Sequence, residues 1–183
     1  MLKPSTTLVI INFLLFQAGW LVCVMSGAYD QPWIGISVAL LIVTWHLLRA
    51  QQSLVETKLV LFAILIGLLW DSLLVWQGWL IFSSGMVFQF MAPLWIIMMW
   101  AMFATTLNVS LRWLHGRYWA SMLLGAIGGP LAYYAGQQLG AVRFSSDYWV
   151  LLVLGLGWAC ITPLLVYLSR RYDGYQAAIS IAR

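Results

Sequence analysis

An all-α integral membrane protein of six transmembrane helices, with no soluble domain, is the fold class this sequence predicts. Three observations predict it. The first is composition: 63% of the 183 residues are hydrophobic, 8% are charged and mean hydropathy is +0.92. A soluble globule carries about 25% charged residues, and nine basic plus five acidic side chains cannot cover a water-soluble surface of this size. The second is a set of six apolar runs near the roughly 20 residues that cross a hydrocarbon core. The third is the placement of basic residues at the ends of those runs. Together they exclude a cytosolic enzyme, a nucleic-acid-binding domain and a disordered tail.

The elements follow in order. Thr6–Ser26 comes first; it is too long for a signal-peptide core and lacks a small-residue cleavage motif, so no cleavable leader is expected. Trp33–Leu48 is short and begins beside Pro32, and Ala92–Trp113 begins at Pro93. Proline at a helix start loses no hydrogen bond. Leu59–Gly78 holds the single acid expected within a span. Tyr118–Leu139 and Tyr148–Ser169 contain Pro130 and Pro163, which should bend them. The connection WLIFSSGMVFQFM after Gly78 is apolar and reads as a segment lying in the outer interface.

With a cytoplasmic N-terminus, the inner segments hold Lys3, Arg49, Lys58, Arg112, Arg117, Arg170, Arg171 and Arg183, and the outer ones only Arg143. The positive-inside rule then places both termini in the cytoplasm. Trp33, Trp79, Tyr148 and Trp149 fall at outer ends, and Trp113, Tyr118 and Trp119 at inner ends, as headgroup-level rings do. Cys23 and Cys160 both lie in apolar runs and read as small buried hydrophobes.

In a bilayer the polar residues are the informative ones, because a charge at a helix centre costs about 2.5–3.5 kcal/mol on insertion scales. Asp71 is expected to be either a proton, cation or catalytic site or an acid that ties helices together. Its candidate partners at similar depth are Gln17, Tyr133, Tyr134 and Gln137, with Arg143 reaching in. In the fifth span Gly125, Gly129, Ala132, Gly136 and Gly140 form one small-residue stripe, which predicts close helix packing. The Gly128-Gly129-Pro130 break offers a carbonyl that lines a cavity as the less favoured alternative.

Nearer the cytoplasm lie Asn12, His46, Thr105, Thr106, Asn108, Ser110 and Arg112. Asn108 and Arg112, four apart on the fourth span, share a face. There Arg112 either snorkels to the interface or binds an acidic headgroup. His46 and His115 make a poor metal or haem motif, and a Met98–Met102 ladder is better read as a lipid face, so no metal or cofactor is expected. GxSxG, HExxH and P-loop motifs are absent. Spans one to three and four to six share no convincing repeat, and a transporter of six short helices would need to dimerise.

The strings NFLLFQAGW (12–20), FATTLNVSLRWL (103–114) and GAIGGPLAYYAGQQLGAV (125–142), with GWAC-x-x-P at 157–163, resemble a bacterial inner-membrane family catalogued only as a domain of unknown function. The resemblance spans nearly the whole chain. It implies a small polytopic inner-membrane protein without established activity, and a tie to envelope lipid metabolism. Matching positions include Asn12, Gln17, Asp71, Asn108, Arg112, Gly129, Tyr133, Gly136 and Gly140, and no catalytic residue transfers with them.

Three functions therefore compete. One is a protein that handles a membrane lipid or other apolar substrate, as enzyme or accessory subunit, with membrane lipids as partners. Another is a small-solute or proton-coupled transporter using Asp71. The last is a non-catalytic assembly partner, in a homodimer or a membrane complex. Nucleic acid is not an expected partner.

Overall fold

The computed structural model of the chain describes residues 4–145 and 147–176, without the side chains of 147 and 148. Lys3 and Arg183, both used to orient the chain, and the ring of Tyr148 lie outside the described residues. Among the described residues six α-helices form: α1 (Thr6–Ala28), α2 (Pro32–Arg49), α3 (Ser53–Trp76), α4 (Leu94–Leu107), α5 (Tyr118–Gln138) and α6 (Asp147–Arg171). Between them come two short strands, β1 (Leu80–Phe82) and β2 (Val142–Phe144). Four of the helices (α1, α2, α3 and α6) are long and apolar enough to cross a membrane.

Local chemistry sets the boundaries. The Ser5 hydroxyl accepts the Leu8 N–H at 3.3 Å and caps α1. Pro32 opens α2 at its first turn. α3 starts six residues earlier than its apolar run, because Ser53–Lys58 continue the helix inward and place Glu56 in the first turn, where the helix dipole favours an acid.

The largest departure from expectation is α4. The run Ala92–Trp113 does not form one helix: α4 ends at Leu107, and Arg112–Leu114 form a separate 3-10 turn. The hydroxyls of Thr105 and Thr106 donate to the carbonyls of Met102 and Phe103 at 2.7 and 2.6 Å, which loosens the last turn. Asn108 then caps the end. Fourteen residues at ~1.5 Å each reach roughly 21 Å.

A second departure is an internal repeat. α3 and α5 finish identically, with left-handed glycines Gly78 (φ +70°) and Gly140 (φ +84°) just past the helix. Gly78 and Trp79 donate to Val75 and Leu74 at 2.9 Å each; Gly140 and Ala141 donate to Gln137 and Gly136 at 3.0 and 2.9 Å. Both are Schellman closures, which need a residue without a Cβ penalty. Each leads into a strand, and the strands pair antiparallel about Ile81 opposite Arg143.

An offset of 62 residues relates these caps. The same offset relates the buried faces: Leu59, Ala63, Gly67, Asp71 and Leu74 in α3 correspond to Ser121, Gly125, Gly129, Tyr133 and Gly136 in α5. In the following helices Trp100-Ala101 corresponds to Trp158-Ala159, and the two indoles stack at 4.6 Å and 12°. Thus α3–β1–α4 and α5–β2–α6 are two copies of one unit about a pseudo-twofold axis. α1 and α2 stand outside the repeat; they pack on each other and on α4.

The expected glycine stripe divides accordingly. A Cβ on Gly129 would run into the Trp158 ring, and one on Gly125 into Trp158 and Thr162, so these two let α5 approach α6. Gly136 is buried near Val142. Gly140 lies outside the helix in the left-handed turn and is not part of the packing stripe. Pro130 sits within α5 without ending it. The Ala126 carbonyl, which Pro130 cannot bond, faces Gly155 of α6.

Candidate functional site

Three regions collect the polar and concave features. The first is Asp71, which is wholly buried. Trp100 Nε1 donates to its Oδ2 at 2.6 Å, and the Tyr133 hydroxyl donates to its Oδ1. Both carboxyl oxygens are therefore satisfied by α4 and α5, so the acid joins three helices. Among the expected partners only Tyr133 meets it. Tyr134 and Arg143 are exposed, Gln17 lies on α1 across a groove, and Gln137 Oε1 is buried without a hydrogen-bond partner. Trp100 gave no sequence signal, because an indole among twelve tryptophans reads as packing.

The second region is a hydrogen-bonded latch at the end that carries most of the basic residues. Asn12 Nδ2 donates to Thr105 O at 3.1 Å, and its Oδ1 accepts from Ser110 Oγ at 2.7 Å. Asn108 Nδ2 donates to Glu56 Oε2 at 2.9 Å. Glu56 also accepts from Gly174 N at 2.8 Å, and its Oε1 stands 2.9 Å from His46 Nε2. Arg112 grips Asp173 with both guanidinium nitrogens, at 3.1 and 2.6 Å, and donates to Asn108 O at 3.0 Å.

The latch therefore engages Asn12, His46, Thr105, Asn108, Ser110 and Arg112 of the inner polar group, but not on one helical face, while the Thr106 hydroxyl bonds only within its own helix. Arg112 is neither snorkelling nor free: a bidentate bond to a buried carboxylate holds it. Sequence reasoning missed Glu56, Asp173 and Tyr175, whose hydroxyl donates to the His46 carbonyl at 2.8 Å. Glu56 stands next to Lys58 at a span's edge, and Asp173 follows the last span, so both read as solvated.

His115 lies beside this latch, outside the spans. Its Nε2 is 3.1 Å from Leu107 O, which only accepts, so Nε2 carries the hydrogen. Burial, followed by the charge of Arg112, lowers its pKa below the ordinary imidazole value, although Asp173 opposes this.

The third region is concave. α1 and α5 are separated by a groove of about 440 Å³, walled by Phe16, Gln17 and Trp20 on one side and Gly125, Gly128 and Ala132 on the other, with Phe103 and Trp158 also lining it. It adjoins a smaller aromatic cavity of about 90 Å³ among Trp95, Met99, Trp100, Tyr133 and Trp158. Ligand clefts commonly measure about 300–1,000 Å³ and are mostly apolar. Gly128 opens onto this space, since a Cβ there would meet nothing within 4 Å.

A protein family described as "Protein of unknown function (DUF2878)" matches residues 9–164. No curated protein and no solved structure matches the chain.

Proposed function

Since the chain belongs to this family of unknown function, we propose its role from the geometry: it binds a membrane-dissolved apolar molecule, a lipid chain, in the groove between α1 and α5. The observation that carries this reading is the groove itself. It is chain-sized, lined by aromatic and small side chains, and lies between helices rather than at a water-facing end. Its residues lie mid-span on α1 and α5, where the surrounding solvent would be hydrocarbon.

The setting is a bacterial inner membrane crossed six times, with both termini in the cytoplasm. Two arguments support six crossings. α5 is the counterpart of α3, and α4 that of α6, and α3 and α6 are each long and apolar enough to span. The basic residues favour the cytoplasmic side by eight to one. Asp71 lines neither space; clamped by Trp100 and Tyr133, it fixes two side chains of the cavity beside the groove rather than carrying a proton.

The test is native mass spectrometry of the chain purified in mild detergent. Wild type should retain lipid, and Gly128→Phe, which adds bulk at a groove-lining position where a Cβ meets nothing within 4 Å, should lose it while keeping its thermal midpoint. Equal retention by both proteins would remove the reading.

A further inference from the structure

At the basic end of the molecule a cavity of about 640 Å³ lies among Val9, Ser110, Arg112, Trp113, His115 and Arg170. No residue lines both it and the apolar groove, but Leu111 lines the groove and its sequence neighbours Ser110 and Arg112 line the cavity. Along α1 the two are separated by the step from Val9 to Phe16, about 10 Å at the helical rise. A polar pocket and an apolar groove thus follow each other along one helix, as the head and chain of an amphiphile do.

Charge identifies the head. Asp173 neutralises Arg112, and His115, held below the ordinary imidazole pKa, adds no positive charge at neutral pH. Arg170 is different. It is exposed, donates one hydrogen bond to the Tyr118 hydroxyl at 3.0 Å, and forms no salt bridge among the described residues. Its remaining donors suit phosphate oxygens. Trp113 and Trp119, both more than half exposed, stand at the same end, where amphipathic rings sit at headgroup level.

We infer that the groove's ligand is an anionic phospholipid of the inner leaflet, its phosphate held at Arg170 and one acyl chain running past Leu111 along α1. The inference rests on the lipid-chain reading of the groove and adds a headgroup, a leaflet and a phosphate-binding residue to it.

Native mass spectrometry with phosphatidylglycerol and phosphatidylcholine of identical acyl chains tests it, with glycerol phosphate as a headgroup-only probe. Wild type should prefer phosphatidylglycerol about fivefold, the ratio one arginine near the surface contributes. Arg170→Gln should abolish the preference, weakening phosphatidylglycerol more than phosphatidylcholine, whose phosphate meets the same residue, and Arg170→Lys should restore part of it. Equal binding of both lipids by wild type, or an unchanged preference in Arg170→Gln, overturns the headgroup assignment alone. Absence of binding for both lipids overturns the groove reading with it. Glycerol phosphate binding as tightly as phosphatidylglycerol overturns the inference in favour of a free phosphate ester.

Discussion

The two halves of the repeat share a backbone plan, and four paired positions show where they agree and where they part. In α3–β1–α4, Gly67 lies beneath Trp100; in α5–β2–α6, Gly129 lies beneath Trp158. These are equivalent. Where the first half has Asp71 the second has Tyr133, and the two meet across the axis. Where the first has Trp70, packed on Gly157, the second has Ala132 beside the groove. Arg112 is locked to Asp173, whereas Arg170, at the corresponding place in α6, has no carboxylate partner among the described residues. The first half is also covered: ten of the fourteen residues of α4 are buried, against α1 and α2 among others. One half is closed and the other open, and the proposed lipid site lies on the open side.

The arginine pair gives the largest expected contrast. Arg112→Ala leaves Asp173 buried without its partner, which costs about 3–5 kcal/mol. Arg170→Ala, at an exposed site, should change the unfolding free energy by less than about 0.5 kcal/mol. Detergent unfolding curves for the two variants measure the difference, and similar losses would mean that the latch is not what holds Arg112.

Next comes the pair across the axis. Asp71→Ala orphans two buried donors, at ~1–3 kcal/mol each, and Tyr133→Phe leaves one carboxyl oxygen unpaired for a single such term. A double-mutant cycle should show strong coupling, and additive losses would separate the two residues.

The glycine pair sharpens the equivalence. Gly67→Ala and Gly129→Ala each force a methyl group into an indole and should cost a similar ~1–3 kcal/mol. Gly128→Ala, one residue away and facing open space, should cost almost nothing. A loss confined to one half would show that the repeat is one of backbone only.

The smallest effect is one of pH. His115 lies in the cavity that Arg112 and Arg170 both line, and its folded pKa is lowered. The unfolded chain therefore takes up the proton first, so stability is full above about pH 6.5 and falls as pH drops below it. His115→Asn should flatten that slope in a thermal-shift series, and an unchanged slope would place the titrating group elsewhere.

Much of this architecture was legible in the sequence, and what was missed has physical causes. Apolar runs and flanking charges mark α1, α2, α3 and α6, since hydrocarbon solvent imposes length directly. The end of α4 was not legible. Thr105, Thr106 and Asn108 sit in an apolar run and stop the helix only because their side chains bond backbone and Glu56. The repeat was hidden because its unit begins at the third helix and few residues are identical: Gly67/Gly129, Gly78/Gly140 and the two Trp-Ala pairs among them. What the halves conserve is size and turn geometry. Asp71 stood out by charge, and Tyr133 by depth. Trp100 and Glu56 required the packing of helices distant in sequence, and the groove exists only between them.

Photo-crosslinking with a phospholipid carrying a diazirine in its acyl chain, followed by peptide mapping, addresses the open half most directly. Labelling should concentrate on the groove walls, at Phe16–Trp20 of α1 and Leu124–Ala135 of α5, and fall there in Gly128→Phe. Labelling spread evenly over the exposed apolar faces, such as Leu65 and Leu69 of α3 and Leu152 and Leu156 of α6, would contradict it.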